Sequence, residues 1–519
     1  MKMHFNNEVI YQIYPLTFYY ASGSKTDPYP NGSYGNLKGI TALVDYVASL
    51  GVDAIWITPF YPWGGHGFGY DITNYCGVDP MYGDIDDFKE LCEVYHSKGL
   101  KVIIDQVYNH CSIRHEWFKK SVERIKPYDE FFIWAYPRRQ GDQIVPPNNW
   151  TSIWNSLGNS AWTWHPGREQ YYMHSFDWSM PTLNLNSKIV QDALLEVSKF
   201  WFDLGVDGFR LDAVTHYACD EQLRDNPVYG NGSQKRLYDI NSPNGAVFIN
   251  RLKSLCNSYS EHKTLLAEYW YDKSEEGFDK ARNIISSSRC DAFFTGALNW
   301  TFDFFKNNIK DDLIVSPHGE KLNWAFSNHD LERAASRLFG NDYNIKKTRL
   351  LMDMLLTLPG SVCIYQGEEL GLPNPKSIEN CKNPDNDPLN VWSPYINPWD
   401  AGRAGFALSD APDDPSHKLA LRPDRDLYKY AVSNQVGKTS MLEATKRFIK
   451  RRKETVFGEY GNIYFVETNR KDVFAYVRTD ISESERILCL YNFSNYGADI
   501  YYNNTKYYVA AEDVRHITL

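Results

Sequence analysis

The sequence contains no run approaching the ~18 apolar residues of a membrane span, no CxxC pair, no internal repeat and no low-complexity stretch. Its nine cysteines are odd in number and scattered through 519 residues. Neither a zinc knuckle nor a disulfide framework is indicated, and free thiols in a reducing compartment are expected. Basic charge is not in excess: 55 Lys+Arg against 65 Asp+Glu leave a formal net charge of −10. That is the wrong sign for a sequence-independent grip on nucleic-acid phosphates. The stretch from Val9 to Thr17 holds Tyr11, Gln12 and Tyr14 where a secretory signal would carry an aliphatic core. A cytoplasmic protein with neither a nucleic-acid nor a membrane partner is therefore expected.

What is abundant is aromatic: 15 Trp, 37 Tyr and 27 Phe. Trp150, Trp154, Trp162 and Trp164 fall in polar, Gly/Asn-rich sequence without core periodicity. Aromatic faces in such loops suit flat, weakly polar ligands such as sugar rings; packing of a loop onto its scaffold explains any single one equally well. Hydrophobic residues make up 43%, enough for a large buried core, and at about 150 residues per domain the length implies two to four domains.

Eight short β-branched or aromatic runs read as buried strands, at 9–14, 54–58, 102–107, 208–211, 264–267, 291–295, 322–326 and 361–365. Amphipathic stretches such as 85–97 and 189–204 lie between them at helical spacing. Eight strands alternating with helices predict an α/β fold, a closed (β/α)8 TIM barrel rather than an open doubly wound sheet. The third and fourth strands are too far apart for one helix, so a small inserted domain is expected there. Another irregular stretch, 373–431, is dense in Pro, Asn and Asp; loops of that length usually have a function or are disordered. After a helix at 442–453, alternation at 462–467, 473–478, 487–492 and 507–510 predicts an antiparallel all-β domain. The expected divisions are barrel at 1–110, insertion at 111–180, barrel again at 181–436, and a helix leading into the β domain, a β-sandwich, at 437–519.

The active site of such a barrel forms at the C-terminal ends of its strands. Carboxylates stand at five of those ends, and Asp212, Glu268 and Asp330 come from three separate strands, with Arg210 two residues before the first. Glycoside hydrolysis needs two carboxyl groups, one ionised and one protonated near neutral pH. Arg210 would hold Asp212 ionised as a nucleophile. Glu268, in a more enclosed place, would have its pKa raised and act as acid and then base. Asp330 would grip ring hydroxyls as the ring flattens. Any lone Asp or Glu is usually just solvated or salt-bridged; the whole constellation is what points to chemistry.

Residues 105–110 (DQVYNH), 208–216 (GFRLDAVTH), 266–270 (LAEYW) and 326–330 (FSNHD) resemble the four ordered signature segments of the α-amylase family of glycoside hydrolases. Residues 11–15 (YQIYP), 54–62 (AIWITPFYP), 69–71 (GYD) and 360–371 (GSVCIYQGEELG) extend the resemblance over essentially the whole chain. It implies a (β/α)8 barrel with a domain B inserted after strand three and a C-terminal β-sandwich. It also implies Asp212 as nucleophile, Glu268 as acid/base and Asp330 as transition-state stabiliser. Asp71, His110, Arg210 and His329 would line the terminal-glucose pocket, with Tyr70 as a stacking platform. The form FGYD after strand two and GEELGLP after strand eight are more similar to α-glucosidases and oligo-1,6-glucosidases than to secreted endo-amylases. Ala213, directly after the nucleophile, is smaller than the Val typical of α-1,6-specific members, which tilts the linkage towards α-1,4 or short disaccharides.

Three departures from the family pattern matter. Residues 180–186 read MPTLNLN, with Thr182 where close relatives carry Asp. The loop 27–40 lacks the acidic ladder of a calcium site; hard cations want several charged oxygen ligands, so no cofactor is required and calcium is not expected. After strand eight, 391–400 (VWSPYINPWD) has no Arg where relatives hold glucose hydroxyls with one. Either Arg403 or another basic residue compensates, or the non-reducing end of the substrate differs from plain glucose. The expected activity is that of a retaining exo-acting α-glucosidase on a small oligosaccharide or α-glucoside. The alternatives are a transglucosylase or isomerase, an endo-acting amylase, and a non-catalytic relative, the last disfavoured because both carboxylates are present. Monomer and homodimer both stay open.

Overall fold

A computed structural model describes residues 7–23, 25, 35–67, 69–153, 160–230, 232–270, 275–294, 302–374, 398–399 and 425–519. The chain begins with β1 (Val9–Ile13), β2 (Ala54–Ile57) and β3 (Lys101–Gln106). Five short strands follow: β4 (Trp134–Ala135), β5 (Arg138–Gln140), β6 (Gln143–Val145), β7 (Trp162–His165) and β8 (Gln170–Met173). Then come β9 (Gly208–Leu211), β10 (Thr264–Glu268), β11 (Ala292–Phe294), β12 (Leu322–Trp324) and β13 (Ser361–Tyr365). The last six are β14 (Ile463–Val466), β15 (Val473–Thr479), β16 (Arg486–Asn492), β17 (Ala498–Tyr502), β18 (Thr505–Val509) and β19 (Asp513–Thr518). Eight strands close a barrel in the order β1-β13-β12-β11-β10-β9-β3-β2, and each coincides with a run expected from the sequence.

The chain divides into two compact units, one of Met1–Thr58, Met81–Val102 and Asp291–Leu519, the other of Pro59–Pro80 and Ile103–Cys290. In the first unit β1 lies between β13 and β2, with Gln12 opposite Tyr365 and Trp56. All five residues of β1 are buried, as in a parallel sheet covered on both faces. Helix Ile85–Ser97 starts where Asp84 and Asp87 form a reciprocal capping box, and it buries Phe88, Leu91, Cys92 and Tyr95 at i, i+3, i+4 and i+7. At the C-terminal end a four-stranded antiparallel sheet, β14-β15-β16-β19, faces the β17-β18 hairpin. Val473, Ala475, Val477, Leu488 and Leu490 from the sheet share one core with Ala498, Ile500 and Val509 from the hairpin, which makes a two-layered β domain. Strands β17 and β19 were not expected from the sequence. β19 (DVRHIT) lies at the sheet edge beside β16, and its exposed Asp513 and Arg515 interrupt the hydrophobic alternation.

In the second unit β3, β9 and β10 run parallel side by side. Two small antiparallel sheets, β4-β8-β7 and β5-β6, lie within the segment expected as an insertion. Trp150 and Trp162 are fully buried there, stacked at 6.0 Å, with their indole N–H groups donated to Arg224 O and Asn148 Oδ1. For these two the loop-packing reading holds. Trp164 packs against the same cluster while half-buried, and Trp154 lies outside the described residues.

Candidate active site

Register brings the chemistry together. On adjacent strands Asp105 of β3 and Leu266 of β10 both stand opposite Arg210 of β9. A strand repeats every two residues, so Asp212 and Glu268 emerge on the same side, one step beyond Arg210 and Leu266. Gly208 permits the close approach of β9 to β10: a Cβ there would sit 2.7 Å from Thr264 O. The Arg210 guanidinium is fully buried. Its Nη1 donates to Asp105 Oδ1 at 2.9 Å and to Asp212 Oδ1 at 2.8 Å, and its Nη2 lies 2.6 Å from Glu268 Oε2. Glu268 Oε2 also accepts the backbone N–H of Ala213 at 2.9 Å. Ala213 is in the left-handed region, φ 48° and ψ 43°, where a β-branched residue would be strained.

One cation thus serves three carboxyl groups that are each less than a tenth exposed. Unpaired charges at such burial would be costly. Arg210 holds Asp212, as expected, and binds Glu268 as closely. Asp105 was missed as a site residue, although it lies within the DQVYNH segment. It also accepts a hydrogen bond from Tyr70 Oη at 3.1 Å, so the Tyr70 ring is anchored through its hydroxyl. Burial raises the Asp105 carboxyl above its ordinary range, against the opposing pull of Arg210.

Asp71 is fully buried, and its carboxylate accepts the backbone N–H groups of Gly67 at 2.9 Å and His66 at 3.2 Å. Burial pushes it up from 3.8 to about 6, with those two hydrogen bonds opposing. His110 is pushed down to about 3 by burial, so it is a neutral imidazole. Asn109 Nδ2 donates to His216 O at 2.8 Å, which fixes its Oδ1 as the acceptor for His110 Nδ1 at 3.1 Å. Thr182 accepts the Ser175 N–H at 2.9 Å and forms a bridge with His110. The Thr182 hydroxyl is therefore occupied by a backbone partner. Burial also drives His216 well below its usual pKa.

In the first unit His329 is buried, and its Nε2 lies 3.4 Å from Asp330 Oδ1. The Asp330 side chain is 35% exposed, open enough to meet a ligand. Arg403 lies outside the described residues, as does most of the stretch 373–431. Among the described residues no three His, Cys, Asp or Glu side chains cluster as metal ligands, and no helix is long and apolar enough to cross a membrane.

Residues 12–459 match the family described as "Alpha amylase, catalytic domain". A "Probable alpha-glucosidase" of Rhizobium meliloti (strain 1021) is 36% identical over 515 residues, covering 94% of this chain and 89% of that protein. "Maltase 1" of Drosophila virilis is 31% identical over 532 residues, covering 94% and 78%. Among solved structures, the α-glucosyl transfer enzyme XgtA superposes with a TM-score of 0.85 at 32% identity, covering 99% of each chain.

Proposed function

The chain belongs to the α-amylase family of glycoside hydrolases, and on that premise we propose that it is a retaining, exo-acting α-glucosidase of short α-glucosides. The observation that carries this reading is the pair Asp212 and Glu268 held on the two terminal nitrogens of one guanidinium. Double displacement needs the two carboxyl groups close, about 5–5.5 Å apart, whereas inversion needs room for a water between them. Asp212 attacks the anomeric carbon while Glu268 gives its proton to the departing glycosidic oxygen. The covalent glucosyl-enzyme then reacts with a water that Glu268 deprotonates, and Asp330 grips ring hydroxyls through both steps. Asp71, His110, Tyr70 and Arg210 would line the pocket for the terminal glucose; His329 is proposed as a further contact, and Arg403 is a candidate for the missing arginine of the loop after strand eight.

No metal takes part in this proposal. A cytoplasmic, reducing setting is supported by Cys111, Cys219 and Cys489, which are buried thiols without a disulfide. A second reading, transfer of the glucosyl group to a sugar, is favoured by the likeness to XgtA. Acceptor choice depends on how the site excludes water. Hydrolysis of maltose, isomaltose, sucrose, trehalose, 4-nitrophenyl α-glucoside and starch, with product analysis at high substrate, tests both. Free glucose of retained configuration from the short substrates is expected. Isomers or longer oligosaccharides as main products would favour transfer, and internal cutting of starch would overturn the exo reading.

A further inference from the structure

We infer that Gln12 is a positioning residue that fixes which nitrogen of His329 carries the proton. Gln12 is a polar side chain with no exposure in a strand whose other members are apolar or aromatic. A buried amide is costly unless it is hydrogen-bonded. Its Nε2 lies 2.8 Å from His329 Nδ1, and among the described residues its buried Oε1 has no hydrogen-bond partner, so the contact to His329 is the one that orients the amide. On the other side of the ring, Nε2 of His329 faces a carboxylate oxygen of Asp330 at 3.4 Å. An ionised carboxylate accepts, so this placement fits a hydrogen on Nε2 and an acceptor at Nδ1. An amide N–H meets that need; a carboxylate at position 12 would demand the opposite tautomer.

Tyr14, just after β1, and Trp56 of β2 flank the ring. Tyr14 lies parallel to the imidazole at 6.2 Å and 17°, and Trp56, opposite Gln12 in the sheet, meets it edge-on at 5.9 Å and 84°. Tyr14 is itself fixed through its backbone N–H, which donates to Gln366 Oε1 at 2.8 Å, while Gln366 Nε2 donates to Thr17 Oγ1 at 2.8 Å. The segment YQIYP thus builds a seat for His329 in which Gln12 addresses Nδ1. His329 then presents an N–H towards Asp330 and the space where a sugar hydroxyl would lie.

The inference rests on the proposed roles of His329 and Asp330, but its primary readout does not. In histidine-15N-labelled protein, with the resonances assigned against His329→Gln, His329 should be the neutral Nε2–H tautomer. Gln12→Glu should convert it to a form protonated at Nδ1. Gln12→Leu should lose the single tautomer and lower kcat/KM on 4-nitrophenyl α-glucoside by about tenfold or more, in protein that still unfolds in one cooperative transition. An Nδ1–H tautomer in the unaltered protein, or a spectrum unmoved by Gln12→Glu, would overturn the inference. The expected tautomers in a protein that cleaves no α-glucoside would overturn the proposed function and leave the role of Gln12 standing.

Discussion

Oε2 of Glu268 lies 2.6 Å from Nη2 of Arg210, so the proposed acid/base is tied to the cation that also holds the proposed nucleophile. Replacing Arg210 by Met would remove the cation that the buried carboxyl groups of Asp105, Asp212 and Glu268 share. Breaking a buried ion pair costs roughly 3–5 kcal/mol. Carboxyl groups so placed resist ionisation, with raised folded-state pKa values, and stability then falls as pH rises through the acid range. Urea unfolding should show Arg210→Met destabilised more at pH 8 than at pH 5.

The two carboxylates should separate by chemistry. Asp212→Asn changes charge and nucleophilicity but hardly volume, so kcat/KM should fall by at least about 10⁴ with the melting temperature retained. Glu268→Gln removes the proton donor, a loss of about 10²–10⁴ where the leaving group needs protonation. Maltose hydrolysis should therefore suffer far more than that of 4-nitrophenyl α-glucoside. Equal losses on both would show that Glu268 is not the acid.

Asp71 provides a pH prediction. Burial lifts its pKa from 3.8 to about 6, so the folded protein binds this proton more tightly than the unfolded chain does. Its contribution to stability therefore declines as pH rises between those values. Asp71→Asn should gain stability relative to the parent from pH 4 to pH 7 in thermal melts. If the ionised form accepts glucose hydroxyls, KM of the parent should climb below pH 6, and that climb should be absent in the variant.

Stability of the β domain should depend on Asp353, which is fully buried and accepts from Tyr491 Oη at 2.8 Å, with His516 Nε2 at 3.1 Å and Arg451 Nη2 at 2.9 Å. These partners, with His516 the largest, outweigh burial and hold its carboxyl below the usual range. A depressed folded-state pKa gives stability above the unfolded pKa and loses it as pH falls. Asp353→Asn should cost roughly 3 kcal/mol at pH 7, and less towards pH 3, in denaturant unfolding.

A metal should not be needed. Incubation with EDTA should leave both the melting temperature and 4-nitrophenyl α-glucoside hydrolysis unchanged; a fall in either that calcium restores would contradict this.

The barrel was legible in the sequence because its strands are buried on both faces and stand out as short apolar runs. Helix Ile85–Ser97 was legible to its ends, since its apolar residues repeat at helical spacing and Asp84 and Asp87 cap it. Strand β19 escaped because an edge strand carries polar residues on an exposed face. For Trp150 and Trp162 sugar platform and loop packing were both open in one dimension; their indole N–H groups meet Arg224 O, remote in the chain, and Asn148 Oδ1, contacts that only folding brings about.

Residue order alone determined which acids end which strands, because a parallel barrel delivers strand termini to one rim whatever the loops do. It could not determine who pairs with whom. That Arg210 holds Glu268 as well as Asp212, that Asp105 completes the cluster, and that Gln12 reaches His329 from 317 residues away all depend on strand register. Register is a property of neighbouring strands, and only the assembled sheet sets it.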